Sequence, residues 1–204
     1  MSGEAKIEPE LSKGLKKLCE DLSAGRMKSH LGGREVQSRG CDEFEYDGDD
    51  DRKIGKWLSL VFVSSHVVKM SFQAKFTFEK CKPLVAMAFE KKTEEVTREQ
   101  MEDFVKEFCN LTAGALKKNL ENEGFSSLIS LPLLTRGQDE VFFKNHPLEA
   151  NSPTVFEHTW EVVCENNSLF CQINFEIFDK EGFEKIILGA FGAEEEDEGD
   201  IDFL

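Results

Sequence analysis

The sequence predicts an α+β fold, with helices packed on a large antiparallel sheet. Residues 67–78 alternate apolar and polar side chains, which is typical of an antiparallel strand with one buried face. Residues 154–164 and 168–178 alternate in the same way on either side of a short turn, so they predict a hairpin. Two stretches, 8–29 and 97–122, repeat apolar residues every three or four positions, as amphipathic helices do. Antiparallel strands and helices combined in this way define the α+β class.

The elements before the central helix follow from local signals. The helix over 8–29 is ended by the Gly32–Gly33 pair. Residues 38–53 are polar, acidic and Gly-containing, so they predict a long loop. Residues 57–65 predict a strand that is apolar on both faces. Residues 81–92 predict a short helix, with Pro83 in the first turn, where a missing backbone N–H costs little.

The central helix has the clearest boundaries. Thr97 begins a T-R-E-Q capping box, in which the Thr and Gln side chains each bond the other residue's backbone N–H. Gly124 supplies the residue that ends the helix. Beyond it, residues 126–134 and 140–143 predict strand pieces, and a short helix is expected around 181–190.

The acidity of the chain is concentrated in two segments. The 204 residues carry a formal net charge of -15, of which seven acidic residues lie within 42–51 and seven within 194–202. Removing those fourteen charges leaves a body near -1. We therefore predict a single domain over residues 1–192, with an acidic loop near 38–53, and a disordered acidic tail over 193–204.

The composition argues against several classes of function. No basic stripe is present to neutralise phosphates, which disfavours nucleic acid as a ligand. The apolar runs are shorter than a membrane span, and the N-terminal residues lack the apolar region of a signal peptide. Six dispersed cysteines show no zinc-like spacing and predict reduced, mostly buried thiols. These features predict a cytoplasmic protein without membrane insertion.

The central helix presents two different faces at 100° per residue. Asp103, Glu107, Asn110 and Gly114 fall within roughly 60° of one another, on the face opposite the apolar residues. Asn and Gly both weaken a helix, and residues that violate local preference are expected where function requires them. The apolar face, predicted to pack on the sheet, comprises Met101, Phe104, Val105, Phe108, Leu111, Thr112, Ala115 and Leu116.

An ordinary solvated face is the alternative interpretation of the polar stripe. Lys106, Lys117 and Lys118 lie beside the stripe and not in it, which favours a special role for the stripe.

Other candidate sites are weaker. The histidines at 30, 66, 146 and 158 are scattered, and His158 is expected on the inward face of a strand as a core residue. The acidic run at 47–51 lacks the residue order of an EF-hand.

At these positions the sequence resembles the CheC/CheX/FliY family of chemotaxis phosphatases. The family motif is Asp or Ser, three residues, Glu, two residues, Asn, about twenty-two residues and Pro. It is matched here by Asp103, Glu107, Asn110 and Pro132, with twenty-one residues before the proline. The single copy of the motif resembles CheX, because CheC carries two.

The resemblance implies a function and a partner. The substrate would be the aspartyl phosphate of a CheY-like response regulator, whose receiver domain supplies Mg²⁺, so this chain would need no metal or cofactor of its own. Asn110 would orient the attacking water, and Glu107 would pair with a lysine of the partner's active site. Asp103 and Gly114 would contribute to partner binding: Asp103 tunes docking, and Gly114 lets the partner's surface approach closely.

Two other functions stay open at this point. A binding or adaptor module could keep the fold and dock a receiver domain of a two-component or chemotaxis system without hydrolysing it. A hot-dog-like thioesterase shares the outline of a long helix on an antiparallel sheet, but it requires a buried acyl pocket with an acidic residue in it. We also expect a homodimer, because long strands such as 67–78 and 168–178 are predicted to leave a sheet edge that should be covered.

Overall fold

The protein is described by a computed structural model over residues 7–40, 57–122, 124–136 and 154–192. Four helices pack on a seven-stranded antiparallel sheet in this part of the chain, which confirms the predicted α+β class. The helices are α1 Pro9–His30, α2 Phe78–Ala88, α3 Arg98–Asn122 and α4 Lys180–Gly192. The strands are β1 Gln37–Gly40, β2 Trp57–Ser64, β3 Val68–Phe76, β4 Leu128–Ile129, β5 Leu133–Arg136, β6 Thr154–Cys164 and β7 Asn167–Ile177.

The strands are ordered β1-β6-β7-β3-β2-β4, and β5 also pairs with β2. β6 and β7 form the predicted hairpin, in which Glu165 adopts a positive φ of 55° at the turn. Along β3 the apolar residues are buried and the intervening polar residues are at least partly exposed, as the alternation predicts. One face of this region therefore supplies the surface on which the helices pack.

Strands β3 and β7 are both internal, paired with each other and each with a second strand. The expectation that residues 67–78 and 168–178 leave a sheet edge is therefore wrong. The outer described strands are β1 on one side and the short β4 and β5 on the other. The long alternating strands are central because both of their backbone edges are satisfied by neighbours of similar length.

The capping box and the glycine end of α3 are as predicted. The Thr97 Oγ1 accepts from the Gln100 backbone N–H at 3.2 Å, and the Thr97 N–H donates to Gln100 Oε1 at 3.1 Å. At the other end, Gly124 has φ 79°, a conformation in which glycine carries no steric penalty. The 25-residue helix thus begins and ends where the local sequence signals place its caps.

The core joins α1 and α3 to the middle of the sheet. Phe108 of α3, Phe72 of β3 and Trp160 of β6 are fully buried, with neighbouring ring centroids 5.9 Å and 6.0 Å apart. The Trp160 indole N–H donates to Ser23 Oγ of α1 at 2.8 Å, so the polar atom of this ring is satisfied in the core. This packing orients α3 relative to the sheet.

Two predicted elements, the loop over 38–53 and the helix over 81–92, have different boundaries in the structure. Gln37–Gly40 forms β1 against β6, so the first residues of the predicted loop are strand, and residues 41–53 lie outside the described residues. The helix predicted over 81–92 begins earlier, because Thr77 Oγ1 caps it by accepting from the Lys80 N–H at 3.3 Å. Pro83 is consequently inside this helix and not in its first turn.

The stretch 126–134 forms two short strands separated by a break. Ser130 occupies the break: its N–H donates to the Phe62 carbonyl, and its Oγ accepts from the Phe62 N–H at 3.0 Å. Pro132 follows in the same interruption, where a residue without an N–H is tolerated at a sheet edge. The predicted strand piece at 140–143 and the tail at 193–204 lie outside the described residues.

Candidate functional site

The outward stripe of α3 is the candidate site. Asp103 and Glu107 are exposed, and Asn110 and Gly114 are half-buried, whereas Phe104 and Phe108 on the inward face are buried. The helix period therefore brings the four residues chosen from the sequence to one face, along three turns. Of the predicted apolar face, Leu111 is only half-buried, and the other seven residues are buried.

The carboxamide of Asn110 takes no part in holding the fold together. Within the described part of the chain, no hydrogen bond is made to its side-chain oxygen or nitrogen. Thr112, two residues on, illustrates the contrast, because its hydroxyl donates to the Phe108 carbonyl at 2.9 Å within the helix. A carboxamide has two donor hydrogens and an accepting oxygen, and all of these are available at Asn110 for a ligand.

The two carboxylates of the stripe have different surroundings. The Asp103 side chain, 64% exposed, pairs with Lys106 Nζ at 2.7 Å on the next turn. Glu107 forms no salt bridge with a described residue. An exposed pair of the Asp103–Lys106 kind stabilises little. Glu107 is thus the carboxylate of the stripe that remains unpaired by the described part of the fold.

Gly114 is surrounded by open space. A Cβ atom built at this position meets no atom within 4 Å outside its own helix backbone. The residue is therefore not required by close packing of this protein against itself, and a side chain there would project from the stripe.

His30 lies next to the stripe although its sequence position gave no indication of this. It is in the last turn of α1, and its Nε2–H donates to the Phe104 carbonyl of α3 at 3.2 Å. Its ring packs on the Phe104 ring with centroids 4.4 Å apart. Burial lowers the pKa of His30, while the Phe104 carbonyl and the nearby Glu107 carboxylate raise it in part. No local signal could have found this contact, because the partners are 74 residues apart.

The other candidate groups have structural roles. His158 is buried on the inward face of β6, as predicted: its Nε2 is hydrogen-bonded to Glu20 Oε1 at 2.8 Å, and its ring stacks on Trp160. Five of the six cysteines are described, and all five are buried. Burial raises the pKa of Cys81 and of Cys109 to about 12, so neither is a reactive thiolate near neutral pH.

Among the described helices, none is long and apolar enough to cross a membrane.

Part of this chain is similar to a known protein family. The family model of the chemotaxis phosphatase CheX matches residues 68–150, which is less than half of the chain but includes all of α3. No curated protein matches the sequence.

Solved structures share the fold at low sequence identity. A chain of the CheX–CheY–BeF3–Mg²⁺ complex from Borrelia burgdorferi is 13% identical over 80% of this chain and 97% of that chain, with a TM-score of 0.55. The CheC-like superfamily protein from Shewanella sp. PV-4 is 15% identical over 83% and 99%, with a TM-score of 0.54. A chain of the FliM–SpeE complex from H. pylori is 10% identical over 94% and 100%, also with a TM-score of 0.54.

The solved structures define the fold class of this protein. The antiparallel sheet with α1, α2, α3 and α4 packed on it is a CheC-like fold. Over residues 68–150 the sequence is similar to the CheX family, which agrees with the resemblance of its motif to the CheC/CheX/FliY family.

Proposed function

We propose that this protein is a phosphatase that hydrolyses the aspartyl phosphate of a CheY-like receiver domain. The observation that supports it most is that Glu107 and Asn110 face outward together, one turn apart, and that neither side chain is hydrogen-bonded to the described part of the fold. The match of residues 68–150 to a family model described as a chemotaxis phosphatase is consistent with this activity.

The chemistry requires positioning more than it requires a new reactive group. An aspartyl phosphate is a mixed anhydride, and in the receiver it is held next to a Mg²⁺ that belongs to the partner. Hydrolysis adds the oxygen of water to phosphorus and breaks the bond between phosphorus and the aspartyl oxygen. The products are inorganic phosphate and the partner's free carboxylate, and the water's second proton is released. An in-line water is therefore the missing component, and orienting it lowers the barrier.

Asn110 is the residue we assign to that water. Its carbonyl oxygen accepts a hydrogen bond from the water, and its amide N–H can donate to a phosphoryl oxygen. A neutral carboxamide suits this position, because a second carboxylate would repel the phosphoryl group. Its half-buried setting on a long, capped helix restricts its rotamers before the partner binds.

Glu107 is assigned to docking. Its unpaired carboxylate lies one turn before Asn110 and can bind the ammonium group of the partner's active-site lysine. Asp103 extends the same surface and would exchange its Lys106 contact for groups of the partner. Gly114, with open space around it, leaves clearance for the partner's surface one turn beyond Asn110.

A receiver-binding module without catalysis is the second candidate. A chain of the FliM–SpeE complex has a similar fold and was solved in complex with another protein, which is consistent with a docking role for this architecture. A thioesterase is disfavoured, because Glu107 lies on an exposed face and a hot-dog-like enzyme needs its acidic residue in a buried pocket.

Phosphate release separates the first two functions. A CheY-like receiver phosphorylated with a small phosphodonor is mixed with the full chain, and inorganic phosphate is measured over time. We expect faster release than from the receiver alone. A stable complex formed with a beryllofluoride-activated receiver, without faster release from the phosphorylated one, would favour the docking module.

The assembly and location are also part of the proposal. The CheX family match supports a role in chemotaxis, and we assign the protein to the cytoplasm, where receiver domains reside. A homodimer through the β4–β5 side of the sheet would cover three exposed leucines: Leu128, 78% exposed, Leu131, 88% exposed, and Leu133, 49% exposed.

A further inference from the structure

The N-terminal helix contributes a residue to the candidate site although it lies outside the stretch that the CheX family model matches. That match begins at residue 68, whereas α1 spans Pro9–His30. α1 packs along α3, and its last residue, His30, lies against the turn of α3 that runs from Phe104 to Glu107.

The hydrogen bond specifies how the imidazole is held. The Phe104 carbonyl oxygen only accepts, so His30 Nε2 must carry the hydrogen in this 3.2 Å contact. Nδ1 is then the nitrogen that gains or loses a proton. The ring is fixed further by the Phe104 side chain, whose centroid is 4.4 Å away.

The same ring is close enough to Glu107 for the two groups to interact electrostatically. From α3, the Phe104 carbonyl and the Glu107 carboxylate both favour the protonated imidazole, while partial burial disfavours it. No direct ion pair joins His30 and Glu107. The carboxylate therefore stays available to a partner while it lies within the field of the histidine.

We propose that His30 is a positioning residue for Glu107: α1 holds the Phe104 carbonyl through His30 and so presents the Glu107 carboxylate to the partner in one orientation. This inference deepens the proposed function, on which it rests. Because it acts on docking, loss of the contact should appear in KM for the phosphorylated receiver and leave kcat close to wild type.

The protonation state of His30 should make KM for the phosphorylated receiver depend on pH. A neutral imidazole leaves Glu107 free to bind the partner's lysine. A protonated imidazole attracts the same carboxylate and competes with that lysine. KM should therefore rise as the pH falls through the pKa of His30, beyond any rise caused by the receiver itself.

The interaction between His30 and Glu107 can be tested by spectroscopy, without an assay of activity. The pKa of His30 is measured by NMR titration of the full-length chain and of its Glu107→Gln variant, whose changed side chain is exposed and should not disturb folding. We expect the pKa of His30 to fall in Glu107→Gln, because a favourable negative charge is lost. An unchanged pKa would overturn the proposal.

A kinetic test uses two substitutions at the same position. Gln can place its amide N–H near the position of Nε2–H but does not titrate, whereas Ala removes the donor. We expect His30→Ala to raise KM by about three- to tenfold, the effect of one lost neutral hydrogen bond. We expect His30→Gln to restore KM near neutral pH and to remove the extra rise at acidic pH.

His66→Gln is the matched control. His66 is exposed in the β2–β3 turn beside Phe125, beyond the far end of α3, and its replacement should change neither KM nor its pH dependence. A KM that is the same in wild type, His30→Ala and His30→Gln would overturn the positioning role. If the wild-type chain releases no phosphate but the His30 pKa falls in Glu107→Gln, the proposed phosphatase fails while the His30–Glu107 coupling is supported.

Discussion

The ring of Phe108 on α3 packs edge-on against the ring of Phe72 on β3, with their centroids 5.9 Å apart. Both side chains are fully buried, so this contact determines which face of α3 turns toward the sheet. Asn110 is two residues further on, which at 100° per residue places it on the opposite side of the helix. The outward direction of the candidate site is therefore a consequence of the core beneath it.

Asn110→Ala should abolish phosphatase activity and leave stability almost unchanged. The carboxamide makes no hydrogen bond with the described fold, so its loss costs little, whereas loss of a group that orients the reacting water costs on the order of 100-fold or more in rate. Phosphate release and a thermal melt provide the two measurements. Asn119→Ala, on the same helix but about 180° away, is the control and should remain active. Near wild-type activity of Asn110→Ala would refute the assigned role.

Glu107→Ala should mainly weaken productive docking. We expect a higher KM, and hence a lower kcat/KM, because the partner's lysine loses its carboxylate. Steady-state kinetics with varied concentrations of phosphorylated receiver measure this change. Glu79→Ala removes an exposed acidic residue from the first turn of α2 and serves as the charge-matched control. If Glu107→Ala and the wild type have equal kcat/KM, Glu107 has no role in docking the receiver.

Gly114→Ala should stabilise the isolated protein slightly. A Cβ at this position meets no neighbouring atom, so the gain in helix propensity, a few tenths to about 1 kcal/mol, is not offset by a clash. Gly114→Leu should keep the fold and lower activity toward the receiver by obstructing its approach. Thermal melts and phosphate-release assays test the pair. A folded and fully active Gly114→Leu would show that the clearance is not needed.

His30→Gln should make the protein less sensitive to acid. The folded-state pKa of His30 is lowered, so the unfolded chain binds more protons than the folded protein below the ordinary value of about 6.5. The free energy of unfolding of the wild type therefore falls as the pH drops through 6.5 toward the folded-state pKa. Urea unfolding from about pH 7.5 to about pH 5 should show a smaller decline for the variant. If the free energy of unfolding falls equally with pH in the wild type and in His30→Gln, the pKa of His30 is not lowered in the folded protein.

Leu131→Lys should convert a homodimer to a monomer. Leu131 is the most exposed of the apolar side chains on the β4–β5 side, and a charge there opposes burial in an interface. Light scattering at tens of micromolar, roughly where weak sheet edges still pair, measures the mass. Val155→Lys, which replaces a half-exposed apolar residue on β6, provides the control. A wild-type protein that is already monomeric would refute the dimer.

Local patterns in the sequence determined much of this protein. The capping box of Thr97 and Gln100 and the glycine at 124 predicted the ends of α3, because caps depend on residues within one turn of each other. The alternation along residues 68–76 predicted a strand with one buried face, and the helix period placed Asp103, Glu107, Asn110 and Gly114 on one side of α3. These features depend only on local sequence and on the periodicity of helices and strands.

Tertiary structure decided the features that depend on contacts between distant residues. The order of the strands made β3 and β7 internal and left β4 and β5 at an edge, which the alternation of a single strand does not specify. α2 begins earlier than Pro83 suggested, and its first residue, Phe78, packs on the rings of Trp57 and Phe76. His30 reached the turn before Glu107 because two helices pack side by side, and no periodicity within either helix encodes the residue it will meet on the other.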